Sequence, residues 1–328
     1  IVYYRVPGKK SKKREYFGRG LEGQRKACRR DTELAGQKKK PGRREPTPTF
    51  SELTKAYLVA KEGSVTESTM NSMLYKIHNV ICPEIGHTAV GGLTPSRIDR
   101  FVNKRLKTVK KTTVHRDLSV IQAILRWAVK RQYIAKNPIE QCEMPKRDDL
   151  NIQPATVAEI KSLLKHSPEH LKRVLTICTY TGARPGPVEV FSLQYENVNW
   201  HDKTITILSA DRGGLKQREI PLHPNFLKQL KAWHKADRNN GYIIRYNGEK
   251  IRSIKTAYKH AKEKAGITRK LPLYSLRHFF VTAILKRGGD LKTTSNMAGH
   301  TRTSTTTTHY QMTDTDMARA AIGKLPAL

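Results

Sequence analysis

Two stretches, "GQKKKPGRREPTP" at residues 36–48 and "KNPIEQCEMPKRDDLNIQP" at 136–154, constrain this chain most. Both are dense in charge and carry prolines, which lack the N–H that a helix or sheet interior needs. Neither reads as the middle of an element or of a core, so both are linkers. They divide the 328 residues into three regions, each of which must bury its own apolar side chains.

The first region, 1–45, holds sixteen lysines and arginines against five acids. "IVYYRVPGKKSKKREYFG" alternates in part, with a "PGKK" turn between two strand-like runs, and a short helical stretch follows around "LEGQRKACRRDTELA". Its tyrosines, Phe17 and the turn set it apart from a disordered basic tail, so a small β-rich module that binds DNA backbone is expected. The second region, 49–145, reads as all helical. Thr49 and Glu52 form a capping box ahead of Leu53, Tyr57 and Leu58, and Thr94 with Pro95 starts a second helix. In a third helix Val114, Leu118, Ile121, Leu125 and Ala128 fall on one stripe, with Lys110, Lys111, Arg116, Arg126, Lys130 and Arg131 elsewhere. Such charges are a solvated face or a face that grips DNA.

The third region, 153–328, opens with another capping box, Thr156 and Glu159. "LKRVLTICTYTG" reads as a buried helix ending at Gly182, and "KTITILSADRGGLKQREIPLHP" as two strands around a Gly-Gly turn. Helix returns in "SLRHFFVTAILKRGGD" and "DLKTTSNMAGH". The region is mostly α with a small hairpin.

Charge narrows the partners. Lys plus Arg number 62 against 28 acidic residues, a net charge of +34. That excess points to a polyanion, most simply nucleic acid, whose neutralised phosphates release counterions. The competitor is an anionic membrane surface. No apolar run approaches the roughly 18 residues of a membrane span, and no lipidation signal or signal peptide is visible, so a cytoplasmic, nucleoid-associated protein is expected. The chain opens at Ile1 rather than a methionine, which leaves room for a native segment ahead of it. Cys28, Cys82, Cys142 and Cys178 are scattered without a CxxC pair and read as reduced thiols. With no carboxylate cluster at metal spacing and dispersed histidines, no metal and no cofactor are expected.

The chemistry gathers around two arginines. Arg184, in "TGARPGPVEV", follows the buried helix and precedes Pro185 and Pro187, which suit the first turn of a new helix, whose free N–H groups favour a phosphate. Arg277 lies beside the stripe Leu276, Phe280 and Ile284, where an arginine needs an anionic partner or a route to solvent. Two such arginines can clamp one phosphate. A third feature is "GHTRTSTTTTHYQ", a polar run in which Tyr310 follows His300 by ten residues.

Taken in order, "TGARPG" with a following acid, "LRH", "GH" and the late tyrosine resemble the catalytic domain of the tyrosine recombinases, the phage-type integrases. The likeness covers the chain in outline. It implies a mainly α fold with small β parts: an arm-type DNA-binding module at 1–45, a helical, SAM-like core-binding domain at 49–145 and a mixed α/β catalytic domain at 153–328. The family's two arginines fall on Arg184 and Arg277, its acidic position on Glu189 after a two-residue insertion "PV", its histidine on His300 and its nucleophile on Tyr310. The hairpin lysine is Lys216 or its place is taken by Arg212; Lys216 is favoured because a lysine can give up its proton and an arginine cannot. Tyr274 stands where the family usually has histidine, and the interval from His300 to Tyr310 is one residue longer than usual.

The resemblance implies a reaction. The phenol, with a pKa near about 10, attacks a DNA phosphodiester to give a 3′-phosphotyrosine and a free 5′-hydroxyl. Bond energy is kept in the new ester, so no ATP is needed. Arg184 and Arg277 meet the transition-state charge, His300 bonds the phosphate or shuttles the proton, Lys216 protonates the leaving oxygen, and Glu189 holds a neighbouring basic residue. The implied partners are double-stranded attachment sites, a homotetramer on two duplexes and DNA-bending accessory proteins. Two alternatives stay open: a type IB topoisomerase, against which the arm module argues, and a DNA-binding regulator with a decayed site, which Tyr274 permits.

Overall fold

The computed structural model describes residues 2–5, 12–36, 47–148, 152–209, 216–238 and 241–300. The chain divides into two units, residues 1–149 and 150–328. Most of the described residues are helical, and the sheets are small.

In the first unit, β1 (Val2–Arg5) pairs antiparallel with β2 (Lys12–Glu15), and α1 (Gly20–Gly36) follows. The "PGKK" turn lies outside the described residues. Arg30 donates to Glu15 at 2.9 Å, which ties α1 to the hairpin. α1 also packs on two later helices, α2 (Phe50–Lys61) and α3 (Glu67–Lys76): Cys28 is buried in their core, and Arg29 donates to Glu62 at 2.7 Å. The Thr49–Glu52 capping box opens α2 as expected. α3 passes through a π-helical turn at Ile77–Ile81 into α4 (Cys82–Ile85). Thr94 caps α5 (Pro95–Leu106), with Pro95 in its first turn.

The longest helix of the unit is α6 (Lys111–Lys130). Val114, Leu118, Ile121, Leu125 and Ala128 are all buried, whereas Lys110, Lys111, Arg116, Arg126, Lys130 and Arg131 are all exposed. Lys110 at its N-cap has no side-chain acceptor to offer. Asp148, 36 residues beyond Thr112, takes that role: its carboxylate accepts from the N–H of Thr112 at 2.9 Å and of Lys111 at 3.2 Å. Inside the unit, the carboxylate of Asp117 is buried between Lys76 at 3.0 Å and Arg105 at 3.1 Å, which supplies the charge partners such a group requires.

In the second unit the Thr156–Glu159 capping box opens α7 (Val157–Lys165), and α8 (Glu169–Thr181) carries Leu171, Val174, Leu175, Ile177 and Cys178 into the core. A three-stranded antiparallel sheet follows, β3 (Val198–Asn199), β4 (Thr204–Leu208) and β5 (Gln217–Pro221), in chain order. The Gly-Gly turn between β4 and β5 lies outside the described residues. Period-two alternation aims Ile205, Ile207, Arg218 and Ile220 inward, with Ile207 opposite Arg218. α9 (Pro224–Ala236) covers the core with Phe226, Leu230 and Trp233. A two-residue pair, β6 (Arg245–Tyr246) and β7 (Glu249–Lys250), precedes α10 (Lys255–Lys264). α11 (Ser275–Lys286) and α12 (Leu291–Ala298) complete the described part. No helix among the described residues is long and apolar enough to cross a membrane.

Candidate active site

α8 ends where the site begins. Gly182 closes the helix at φ +63°, and a Cβ there would come within 2.4 Å of the Phe280 ring, so both the backbone and the packing of α11 demand glycine. This close approach brings Arg277 of α11 to the end of α8: its Nη1 donates to the Gly182 carbonyl at 2.8 Å. Arg277 is fully buried, and its guanidinium lies 5.9 Å from the ring centre of Tyr274, the half-buried residue just ahead of α11. The Tyr274 ring meets His278 edge-on at 5.3 Å.

The helix expected after Arg184 does not form. Residues 187–192 make irregular turns instead. Pro185 and Pro187 have no N–H to give, and the N–H of Arg184 is already taken by the Glu189 carboxylate at 2.8 Å, so no helix N-terminus is presented to a phosphate here. Glu189 holds the same arginine a second time, accepting from Arg184 Nη1 at 2.5 Å. The Arg184 side chain remains 43% exposed while that of Glu189 is 2% exposed, so the ion pair has one buried end and one end toward solvent. Arg184 Nη2 reaches the carbonyl of Gly299 at 3.4 Å.

Gly299 and His300 end α12 in a Schellman arrangement: Gly299, at φ +71°, donates to Asn296, and His300 donates from its backbone N–H to Ser295 at 3.0 Å. His300 is buried. Thus Arg184, Glu189 and the α12 end bearing His300 share one locus, and Arg277 with Tyr274 joins it through Gly182. Lys216 lies at the root of the β4–β5 hairpin, exposed, its carbonyl accepting from the Ser209 N–H at 2.8 Å. Arg212 and Tyr310 lie outside the described residues.

One residue of this locus went unread in the sequence. Arg218 is 5% exposed and donates from Nη2 to Glu189 at 2.6 Å. The signal was there: once Ile220 faces inward, the two-residue period turns Arg218 inward too, and an inward arginine needs an acid. The pair fixes the charge of the site. Burial alone would raise the Glu189 carboxyl, but the hydrogen bonds and charges of Arg218 and Arg184 outweigh it and hold the group below its ordinary value. Cys178 is pushed up by burial, with the Glu189 charge adding to the effect. Among the described residues no group of three His, Cys, Asp or Glu side chains could hold a metal ion.

The chain has relatives across both units. Residues 154–316 match the Phage integrase family and residues 50–144 the Phage integrase central domain, together more than half of the chain. It is 27% identical to the tyrosine recombinase XerD of Staphylococcus saprophyticus, over 58% of this chain and 68% of that protein. It is also 27% identical to the tyrosine recombinase XerC of Chlamydia muridarum, over 67% of this chain and 74% of that protein. Among solved structures, the Tn1549 transposon integrase in complex with a circular intermediate DNA has the same fold, with TM-score 0.70 at 18% identity, covering 85% of this chain and 100% of that one. A lambda integrase dimer bound to a core site gives TM-score 0.69 at 16% identity, covering 99% of this chain and 94% of that one. The chain belongs to the phage integrase family of tyrosine recombinases.

Proposed function

We propose that this site-specific recombinase integrates or excises a mobile element, cutting and rejoining double-stranded DNA through Tyr310. The observation that carries the reading is the paired anchoring of Arg184 to Glu189 and of Arg277 to Gly182, two cations fixed at one locus inside the matched segment. Phosphoryl transfer needs fixed cations more than it needs covalent machinery from the protein.

The Tyr310 phenol oxygen attacks the phosphorus as its proton passes to His300 or water. The bond from phosphorus to the 5′-oxygen breaks, and Lys216 protonates that oxygen. Arg184 and Arg277 meet the charge on the non-bridging oxygens, and Glu189 keeps Arg184 in place. In the return step the 5′-hydroxyl of a partner strand attacks the phosphotyrosine. Tyr274 contributes a hydroxyl near the phosphate without a charge of its own.

The domain assignment follows the same reading: an arm-type module at 1–45, a core-binding domain at 49–145 and the catalytic domain at 153–328, in a homotetramer on two duplexes, with DNA-bending accessory proteins and a place at the nucleoid. The mobile-element reading takes its support from the likeness to the Tn1549 transposon integrase and to the lambda integrase dimer, over 85% and 99% of the chain. The test is incubation with a nicked attachment site, from which the short 5′ fragment diffuses away. A covalent protein–DNA adduct is expected, and its absence on every nicked site that the protein binds would sink the proposal.

A further inference from the structure

Arg218 does more than balance a buried acid. Its three nitrogens go to three separate pieces of the second unit. Nη2 donates to Glu189 Oε2 at 2.6 Å, Nε to the Met297 carbonyl near the end of α12 at 2.8 Å, and Nη1 to Ser209 Oγ just past β4 at 3.0 Å. Gly299 packs against the guanidinium so closely that a Cβ there would stand 3.0 Å from Nη1. Glu189 in turn grips Arg184 through its backbone and its side chain. One planar fork on β5 therefore sets the distance between Arg184 and the helix end that carries His300. Lys216 lies two residues before it in the chain.

We infer that Arg218 is a positioning residue for strand cleavage: through Glu189 it fixes Arg184, and through the Met297 carbonyl it fixes the end of α12 ahead of His300. All three of its side-chain nitrogens are taken up by protein acceptors, so it acts through Glu189 and the Met297 carbonyl rather than on the phosphate. A lysine keeps the charge but is a point donor and cannot reproduce three bonds in one plane. Misplacing a reacting group by about 1 Å can cost about a hundredfold in rate. The inference rests on the recombinase reading given above.

The experiment uses the full chain with Arg218→Lys, Arg218→Ala and Arg184→Ala, read by adduct formation on a nicked site, by gel shift and by urea unfolding. Each is repeated on a site whose scissile phosphate carries a methyl group in place of one non-bridging oxygen. That phosphate has no charge for Arg184 to meet. Arg218→Lys should bind DNA as the wild type does and form adduct about a hundredfold more slowly on the ordinary phosphate. On the methylated phosphate the loss should largely disappear, and in the Arg184→Ala background Arg218→Lys should cost far less than in the wild type, the remainder being the part carried through the α12 end and His300. An unchanged rate, or equal loss on both phosphates, overturns the inference. So does a failure of Arg218→Lys to fold where Arg184→Ala folds, since Arg218 is then needed for the fold itself. A wild-type chain that makes no adduct overturns the recombinase reading and this inference with it, whereas the other outcomes strike the inference alone.

Discussion

Glu189 holds Arg184 at two points, accepting from its backbone N–H at 2.8 Å and from its guanidinium at 2.5 Å. The four-residue loop between Arg184 and Glu189 is thereby closed on itself, and the half-exposed arginine is aimed from a buried anchor. Glu189→Gln keeps the shape but removes the charge between two guanidinium groups. Breaking a buried pair in this way typically costs about 3–5 kcal/mol. Urea unfolding should report a loss of that order, and the adduct rate should fall in parallel. A Gln variant with wild-type stability would show that the pair is too well solvated to matter.

A second acid acts through pH. Arg269 donates to Glu159 at 2.5 and 2.7 Å, and this bond, with help from Thr156, draws the carboxyl down to about 2 against the cost of burial. The folded value lies below the unfolded one. The stabilisation is therefore complete above the ordinary carboxylate range and is lost as pH falls toward about 2. Glu159→Gln can still cap α7 but cannot pair with Arg269. It should be less stable than the wild type at pH 7, and the difference should shrink as the urea midpoint is followed down through pH 4 to 2. A constant difference across that window would remove the ion pair as its source.

Asp148 is the acceptor that α6 lacks locally, and its carboxyl is held below its usual value by the Thr112 hydrogen bonds. Asp148→Ala should lower stability, because the first N–H groups of α6 lose their acceptor. It should also speed proteolysis after Lys146 and Arg147, which the cap pins beside α6. Asp148→Asn, which keeps an oxygen acceptor, should restore most of both. Equal cleavage in all three would show that the linker is held by something else.

How much of this was legible depends on whether a contact is local or long-range. The capping boxes at Thr49 and Thr156, the α6 stripe and the glycine end of α8 are set by residues three or four apart, and the sequence reading found them. It did not find Asp148, because a cap supplied 36 residues beyond Thr112 leaves no pattern at the start of the helix. α9 and α10 were not read at all. The β6–β7 pair was also passed over, although Asn247 and Gly248, both at positive φ, are the dipeptide such a turn demands. The helix placed after Arg184 failed because prolines permit a first turn without requiring one. Within the site, motif order gave Arg184, Glu189, Arg277 and His300, but the charge balance at Glu189 needed the inward face of β5 as well.

Tyr310→Phe removes one oxygen and keeps the ring. In so polar a stretch, with threonines at 305–308, no large buried hydrogen bond should be lost, so stability and DNA affinity should hardly change. Adduct formation should vanish, because neighbouring threonine alkoxides are far too basic to replace a phenolate. Arg184→Ala should differ by weakening DNA binding as well as rate. Adduct from the Phe variant at the wild-type rate would make Tyr310 a bystander.

The leaving group discriminates between Lys216 and Arg212. A departing 5′-alkoxide needs a proton in the transition state, and general acids of this kind contribute about 10²–10⁴-fold. Lys216 is exposed at the root of the hairpin, next but one to Arg218, and a lysine there can give up a proton and regain it from water. Lys216→Ala should therefore slow cleavage of an ordinary phosphodiester within that range. A substrate with sulfur at the 5′-bridging position should be cut by the variant almost as fast as by the wild type, since a thiolate leaves without a proton. Equal loss on both substrates would take the acid role from Lys216. Arg212→Ala is then tested on the same pair of substrates: equal loss on both makes Arg212 a fixed charge, as expected of a guanidinium that keeps its proton at neutral pH, whereas rescue by sulfur would give it the acid's place.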